Sequence, residues 1–393
     1  MTAGPTHRLT ALPTYVFAWL DELKATARAR GANLIDLGIG NPDQPTPAAI
    51  VDAIKCAYDE PRTHGYPPFR GTPRFLEAAA AYMRRRFGVT VDAEREVLAV
   101  SGGKEGIAHL VMGYTDEESV ALVPNIHYPV HGRAAALVGG RTYLLPVRRE
   151  HGYLPTLDAI PDDVARKARL LMLNYPHNPT GAVATLGFFE EAVEFCARFG
   201  IVLVSDLAYG EITFDGYVAP SILEIPGAAD VAVEFHSLSK TFNMAGSRIG
   251  FAVGNADLIE TLYGVRTNMG YGTPAAIQEG AAFALDHLEE YARPVARRYQ
   301  ERRDVLVEGF RSLGWSAEAP RATMFVWLPV PTGFDSQGWS RHLIDTAGVV
   351  VTPGNAFGPG GEGYFRVSLV APPNVVNDAI ARLQRAGVRY ARS

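Results

Sequence analysis

Lys240 stands in a segment whose residue types can do chemistry together: His236-Ser237-Leu238-Ser239-Lys240-Thr241-Phe242-Asn243-Met244-Ala245-Gly246-Ser247-Arg248-Ile249-Gly250-Phe251. An apolar run, Val231-Ala232-Val233-Glu234-Phe235, leads into two serines and one lysine, and Arg248 follows eight residues later. An ammonium at the end of a buried strand is costly to desolvate. The cost falls when the amine is neutral or held covalently, as in a Schiff base. Two hydroxyls, Ser237 and Ser239, and the Arg248 guanidinium suit a dianionic phosphate. A lysine beside a phosphate site is the least that pyridoxal 5'-phosphate requires. A lone Ser-x-Lys is common, so the weight rests on what accompanies it.

Ser101-Gly102-Gly103-Lys104-Glu105-Gly106 follows a strand and opens a helix. Small residues let backbone approach an anion, and the first helical N–H groups point at it. By itself this is a plain tight turn; joined to Ser237, Ser239 and Arg248 it completes a phosphate cup. Gly103 and Lys104 are then phosphate contacts, mainly through backbone N–H, and the Lys104 side chain is also a candidate for a substrate carboxylate. Asp206 ends the apolar run Ile201-Val202-Leu203-Val204-Ser205. A carboxylate there either caps a turn or needs a partner. A pyridinium nitrogen is such a partner, and a ring kept protonated stabilises a carbanion. Tyr209, three residues on, is placed to hydrogen-bond the ring 3'-oxygen. Tyr128, in Asn125-Ile126-His127-Tyr128-Pro129, either stacks on the cofactor ring or belongs to the core. Arg366 lies inside the apolar stretch Gly363-Tyr364-Phe365-Arg366-Val367-Ser368-Leu369 and needs an anion. That anion is a substrate α-carboxylate in a bidentate fork or a structural acid. Tyr15 is placed over the pocket. His127 and His131 are not assigned acid–base roles, and no metal ligand set is expected.

These side chains need elements to hold them. Apolar runs at Val97–Ser101, Val120–Pro124, Thr142–Val147, Leu170–Asn174, Ile201–Ser205, Val231–His236 and Ile249–Val253 read as strands. Most are continuous rather than alternating, as expected for strands covered on both faces. Helical stretches separate several of them, such as Thr185 to Arg198, with Thr185 as N-cap and Gly200 as stop. The pattern predicts an α/β domain with a mostly parallel seven-stranded sheet and a site beyond the strands' carboxyl ends. Asn174-Tyr175-Pro176-His177-Asn178-Pro179-Thr180-Gly181 reads as a loop. After about residue 285 a charged helix, Ala292 to Leu313, precedes strands at Met324–Leu328, Val349–Thr352 and Phe365–Leu369 and a last helix, Asn374 to Ala386. This predicts a smaller α+β domain.

The 393 residues allow two domains and a large core. With 47% hydrophobic and 20% charged residues the chain is globular rather than disordered. A net charge of −5 gives no basic surface for nucleic acid, and no apolar run is long enough to span a bilayer. The first residues lack the apolar core of a signal peptide. Cys56 and Cys196 have no metal or redox spacing and are expected to be buried small residues. A cytoplasmic location is expected.

Taken together, the motifs resemble fold-type I, class I/II pyridoxal-phosphate aminotransferases, from about Leu12 to the last helix. The stretches Leu37-Gly38-Ile39-Gly40-Asn41-Pro42-Asp43, Asn243-Met244-Ala245-Gly246 and Arg302-Arg303-Asp304-Val305-Leu306-Val307 are similar to the branch of bacterial alanine and LL-diaminopimelate aminotransferases. The resemblance implies a large cofactor-binding domain, 45–285, and a small domain made of 1–44 with 286–393. It implies that Asn178 holds the ring 3'-oxygen and that Gly40 lines the substrate carboxylate pocket. It implies that Tyr66, in His64-Gly65-Tyr66-Pro67, reaches the phosphate of a neighbouring subunit in a homodimer. Activity would be ping-pong transfer of an amino group between an L-amino acid and a 2-oxo acid, with Lys240 carrying the cofactor and moving the proton. In the loop Val265-Arg266-Thr267-Asn268-Met269-Gly270-Tyr271, the residue that reads the substrate side chain is Arg266, Asn268 or Tyr271. Some diaminopimelate enzymes place Asn where Tyr271 aligns. The expectation is therefore alanine/pyruvate with glutamate/2-oxoglutarate, with LL-diaminopimelate and aspartate as alternatives. A pyridoxal-phosphate lyase or acyltransferase is a more distant reading. A non-catalytic regulator would carry an extra N-terminal DNA-binding domain, for which the forty-odd leading residues give no room.

Overall fold

The computed structural model describes residues 4–12 and 15–390. Its strands, in chain order, are β1 (Ile35–Asp36), β2 (Val97–Val100), β3 (Val120–Pro124), β4 (Arg141–Leu145), β5 (Ala168–Leu173), β6 (Val202–Asp206), β7 (Ala232–Ser237), β8 (Gly250–Gly254), β9 (Phe325–Pro329), β10 (Val349–Val350), β11 (Thr352–Pro353) and β12 (Tyr364–Ser368). Seven form one sheet in the order β2-β8-β7-β6-β5-β3-β4. Pairings among β4, β3, β5, β6 and β7 are parallel, whereas β8 runs antiparallel to both β7 and β2.

The continuous apolar runs follow from burial on both faces. In β5, Leu170 and Met172 join one core cluster with Val204 and Phe235, while Leu171 and Leu173 join another with Leu203 and Phe189. Flanking helices have readable ends. The helix Leu186–Phe199 starts where the Thr185 hydroxyl accepts from the Phe188 N–H, 3.2 Å away, and stops at Gly200, whose φ of +69° suits glycine. Most strand edges differ from the expected ones by one or two residues, and the expected strand Val349–Thr352 is split at Val351 between β10, in one sheet, and β11, in another. Val231, for instance, ends the short helix Ala228–Val231 and leaves β7 to begin at Ala232.

Parallel strands bring their carboxyl ends to one edge. There β6 delivers Asp206, β7 delivers Ser237, and β5 delivers Asn174 one residue past its end. Because β8 is reversed, its beginning lies at the same edge, which is how Arg248, two residues ahead of it, joins the group.

A second sheet, β11-β12-β9, is antiparallel, and β1 pairs with β10 in parallel, Ile35 opposite Val349. The helices Leu288–Ser312 and Pro373–Arg385 pack on this sheet in a core that includes Phe310, Phe365 and Leu383. Arg302, fully inside that helix, forks onto Asp43 with bonds of 2.7 and 2.8 Å. It also donates to the Leu369 carbonyl at 3.0 Å. Burial would raise the Asp43 carboxyl, but the Arg302 fork holds it below the usual carboxylate range.

One expectation about the cysteines fails. Cys196 is buried, but Cys56 is exposed. On the helix Ala48–Tyr58 the buried stripe runs through Ile50 and Ala57, and Cys56 is turned about 100° from Ala57.

Candidate active site

A cavity of about 470 Å³ opens at the carboxyl edge of the large sheet. Its wall brings together, from far-apart stretches of chain, Tyr15, Gly40, Gly103, Lys104, Tyr128 and Asn178. It also brings Asp206, Tyr209, Ser237, Ser239, Lys240, Arg248 and Arg366 to the same space. Of the cofactor and carboxylate contacts expected from sequence, Tyr66 is elsewhere. It is 80% exposed, and its ring stacks on Tyr271 at 4.0 Å. Arg266, Asn268 and Tyr271 are also off the cavity wall. Arg266 is buried against Gly272, with both terminal guanidinium nitrogens unpartnered.

At one end the helix Gly103–Tyr114 points its first N–H groups at the cavity. Gly102 caps it with a φ of +94°, and a Cβ there would stand 2.5 Å from Arg248 Nη2. The left-handed φ is what calls for glycine, and a methyl there would push the Arg248 guanidinium aside. Arg248, itself left-handed at φ +52°, is aimed by bonds from Nη1 to the Ala245 carbonyl and from Nη2 to the Ser101 carbonyl, both 3.0 Å. Space beside Gly103 is open.

In the middle, Asp206 Oδ1 accepts from the Ala208 N–H at 3.2 Å, and Oδ2 lies 3.1 Å from His131 Nε2. Asn174 donates to the Asp206 carbonyl at 2.7 Å and accepts from the Asn178 N–H at 3.1 Å. Asn178 donates to the Tyr209 oxygen at 3.3 Å and accepts from Arg366 Nη1 at 2.9 Å. A continuous polar chain thus runs from Asp206 to Arg366. Burial pushes the Tyr209 hydroxyl up, and it pushes Tyr128 to about 12. Burial holds neighbouring His127 down at about 4 and His177 at about 3, so both rings are neutral.

At the other end Arg366 is boxed by three rings, with its guanidinium carbon 4.0 Å from Phe325, 4.6 Å from Phe357 and 5.9 Å from Phe17. Nη2 donates to the Gly38 carbonyl at 2.7 Å, while buried Nε has no partner. Desolvation lowers this guanidinium to about 10, and it stays charged at neutral pH. Among the described residues no structural acid neutralises it, which leaves the anion to a ligand. Lys240 Nζ donates to the Gly40 carbonyl at 2.6 Å. Desolvation, then Arg366 and Arg248, bring this amine down to about 8. Gly40 has no room for a side chain, since a Cβ would fall 2.6 Å from the Phe325 ring.

Sequence reading missed His131, Asn174 and the ring box of Phe17, Phe325 and Phe357. His131 carried a weak signal, three residues after Tyr128 in a strand-to-helix junction; the rings carried none.

Residues 32–383 match the family described as aminotransferase class I and II. The chain belongs to this family. It is 47% identical over 387 residues to LL-diaminopimelate aminotransferase 2 of a Nostoc species, covering 98% of this chain and 99% of that one. Substrate-bound BacF from Bacillus subtilis superposes with a TM-score of 0.95 at 37% identity, over the whole of both chains. A probable N-succinyldiaminopimelate aminotransferase from Thermus thermophilus gives 0.89 at 40% identity, over 94% of this chain and all of that one.

The protein is an aminotransferase, and its cofactor is pyridoxal 5'-phosphate. The residues present fit that group. An anion cup beside Gly102 and Gly103 suits its phosphate, Asp206 suits a protonated ring nitrogen, and Asn178 and Tyr209 suit the ring hydroxyl oxygen. Lys240 carries the amine that can hold it. Among the described residues no helix is long and apolar enough to cross a membrane.

Proposed function

We propose that this aminotransferase moves an amino group between LL-diaminopimelate and 2-oxoglutarate, in the direction set by supply. The observation that carries the reading is the 47% identity, over nearly the full length of both chains, with a relative named for LL-diaminopimelate. The comparisons favour this alternative over the alanine expected from Tyr271, and Tyr271 is off the cavity wall of its own chain.

When bound, pyridoxal phosphate supplies an electron-withdrawing ring that stabilises negative charge at the substrate α carbon. Gly103 and Lys104 offer backbone N–H groups, and Ser237, Ser239 and Arg248 offer side-chain donors, to its phosphate. Asp206 keeps the ring nitrogen protonated, and Asn174 and His131 keep Asp206 in place. Tyr128 covers the ring. Asn178 and Tyr209 hold the ring oxygen. Arg366 binds the substrate α-carboxylate, and Gly40 lets that carboxylate come close. Lys240 would hold the cofactor, and its Nζ as a neutral amine would take the proton from the substrate α carbon. The cofactor is held by residues 45–285, and residues 1–44 with 286–393 supply the substrate side. The unit is a homodimer in which Tyr66 reaches the other subunit's phosphate.

The test is glutamate formation by the purified, cofactor-loaded protein from 2-oxoglutarate with LL-diaminopimelate, and separately with L-alanine. Turnover with LL-diaminopimelate at a kcat/KM well above that of alanine supports the reading. Turnover with alanine alone returns the assignment to alanine/pyruvate.

A further inference from the structure

Arg248 holds a backbone conformation that an L-residue disfavours, left-handed at φ +52°. Such strain persists only where the surroundings over-determine it. The side chain has two fasteners, Nη1 on the Ala245 carbonyl and Nη2 on the Ser101 carbonyl. The main chain has another. The Thr273 hydroxyl, 25 residues further along, donates to the Arg248 carbonyl at 2.6 Å. Thr273 is buried, so water is poorly placed to replace this donor. Thr273 is held in its turn. The wholly buried Gln278, on the helix Ala275–Asp286, donates from Nε2 to the Thr273 carbonyl at 2.7 Å. Its Oε1 accepts from the Thr72 N–H, also at 2.7 Å. Thr72 caps the helix Pro73–Phe87. One amide thus ties the loop ahead of its own helix to the head of a second one. Neither Thr273 nor Gln278 lies on the cavity wall, so both can act on a ligand only through Arg248.

We propose that Thr273 is a positioning residue for the cofactor's phosphate, and that Gln278 keeps Thr273 in place to do this. The hydroxyl pins the Arg248 main chain in its strained turn. From that turn the guanidinium leaves toward Gly102, where a Cβ would stand 2.5 Å from Nη2. Without the hydroxyl the main chain relaxes, and the guanidinium swings off the phosphate cup. A charge-assisted bond to phosphate depends on that aim, because the guanidinium fork is planar and rigid. The inference deepens the reading of Arg248 as a phosphate donor and rests on it. A bond that merely steadied the loop would change stability and leave the recognition of phosphate as it was.

Pyridoxal lacks the phosphate and otherwise matches pyridoxal 5'-phosphate. The ratio of their dissociation constants for the full-length chain, read by the absorbance change on binding, isolates what the phosphate contributes. Thr273→Val keeps the shape and removes the hydroxyl. It is expected to cut the ratio about tenfold, the worth of one hydrogen bond, while pyridoxal binds as before. Thr273→Ser keeps the hydroxyl and is expected to restore the wild-type ratio. Gln278→Met is expected to lower the ratio in the same sense; should that variant fail to fold, the two Thr273 variants decide. A Thr273→Val variant with the wild-type ratio would overturn the proposal, as would one that loses both ligands alike. Arg248→Met separates this from the reading beneath it. A ratio that survives in Arg248→Met would sink the phosphate assignment of Arg248 and the inference with it. A ratio lost in Arg248→Met but kept in Thr273→Val would leave that assignment standing and remove the positioning role alone.

Discussion

Lys240 sets the pH behaviour of the site. Its folded value of about 8 lies below the ordinary 10.5, so the neutral amine accumulates above pH 8 rather than above 10. The rate at which this amine captures pyridoxal phosphate should rise with pH with a midpoint near 8, read by absorbance in stopped flow. A midpoint near 10 would mean that the amine is not desolvated in solution. Lys240→Ala should abolish amino transfer altogether. His131 offers a separate test at this scale. Its Nε2–H is one of two donors on a buried carboxylate, the other being the Ala208 N–H. Removing a charge-assisted donor costs about 1.5–3 kcal/mol. His131→Phe should therefore slow transfer about tenfold or more while Lys240 still takes up cofactor; unchanged kcat would show that Asp206 needs no help from His131.

At the scale of elements, the turn between β2 and its helix is the part most sensitive to a single atom. Gly102→Ala asks an L-residue to hold a φ of +94° and drives a methyl at the Arg248 guanidinium. The strain alone is about 1–3 kcal/mol. The variant should fold but bind cofactor at least tenfold more weakly by equilibrium dialysis; a wild-type Kd would show that Arg248 is not aimed by this turn. The same scale explains what sequence could and could not tell. Lys240, Asp206 and Arg366 stood out in the sequence, and all three line the cavity, because each is a charge inside or just past an apolar run, where desolvation demands a partner. Most strands were readable because burial on both faces leaves unbroken apolar runs. Asn174 and His131 were not, since their bonds to Asp206 reach across 32 and 75 residues and nothing local marks them. The reversal of β8 was hidden too, because an apolar run carries no sign of strand direction. Cys56 was misjudged because its helix position was not set against the stripe of Ile50 and Ala57.

For the whole molecule, the open question is what covers the exposed stack of Tyr66, Tyr271 and Phe69. If Tyr66 serves a partner's site, sedimentation should show a dimer, and Tyr66→Ala should weaken cofactor binding about tenfold, the worth of a hydroxyl bond to a charged phosphate. A monomer with full activity would remove the partner from the account. The Arg302 fork grips Asp43, three residues past Gly40, and Leu369, three residues past Arg366. A single planar group therefore gauges the separation of the two cavity walls that meet a substrate's carboxylate. Burial of Arg302 shields the fork from salt. The spacing of the two walls is thus tied to one ion pair as well as to the packing around it, so Arg302→Met should loosen substrate binding more than it lowers the melting temperature.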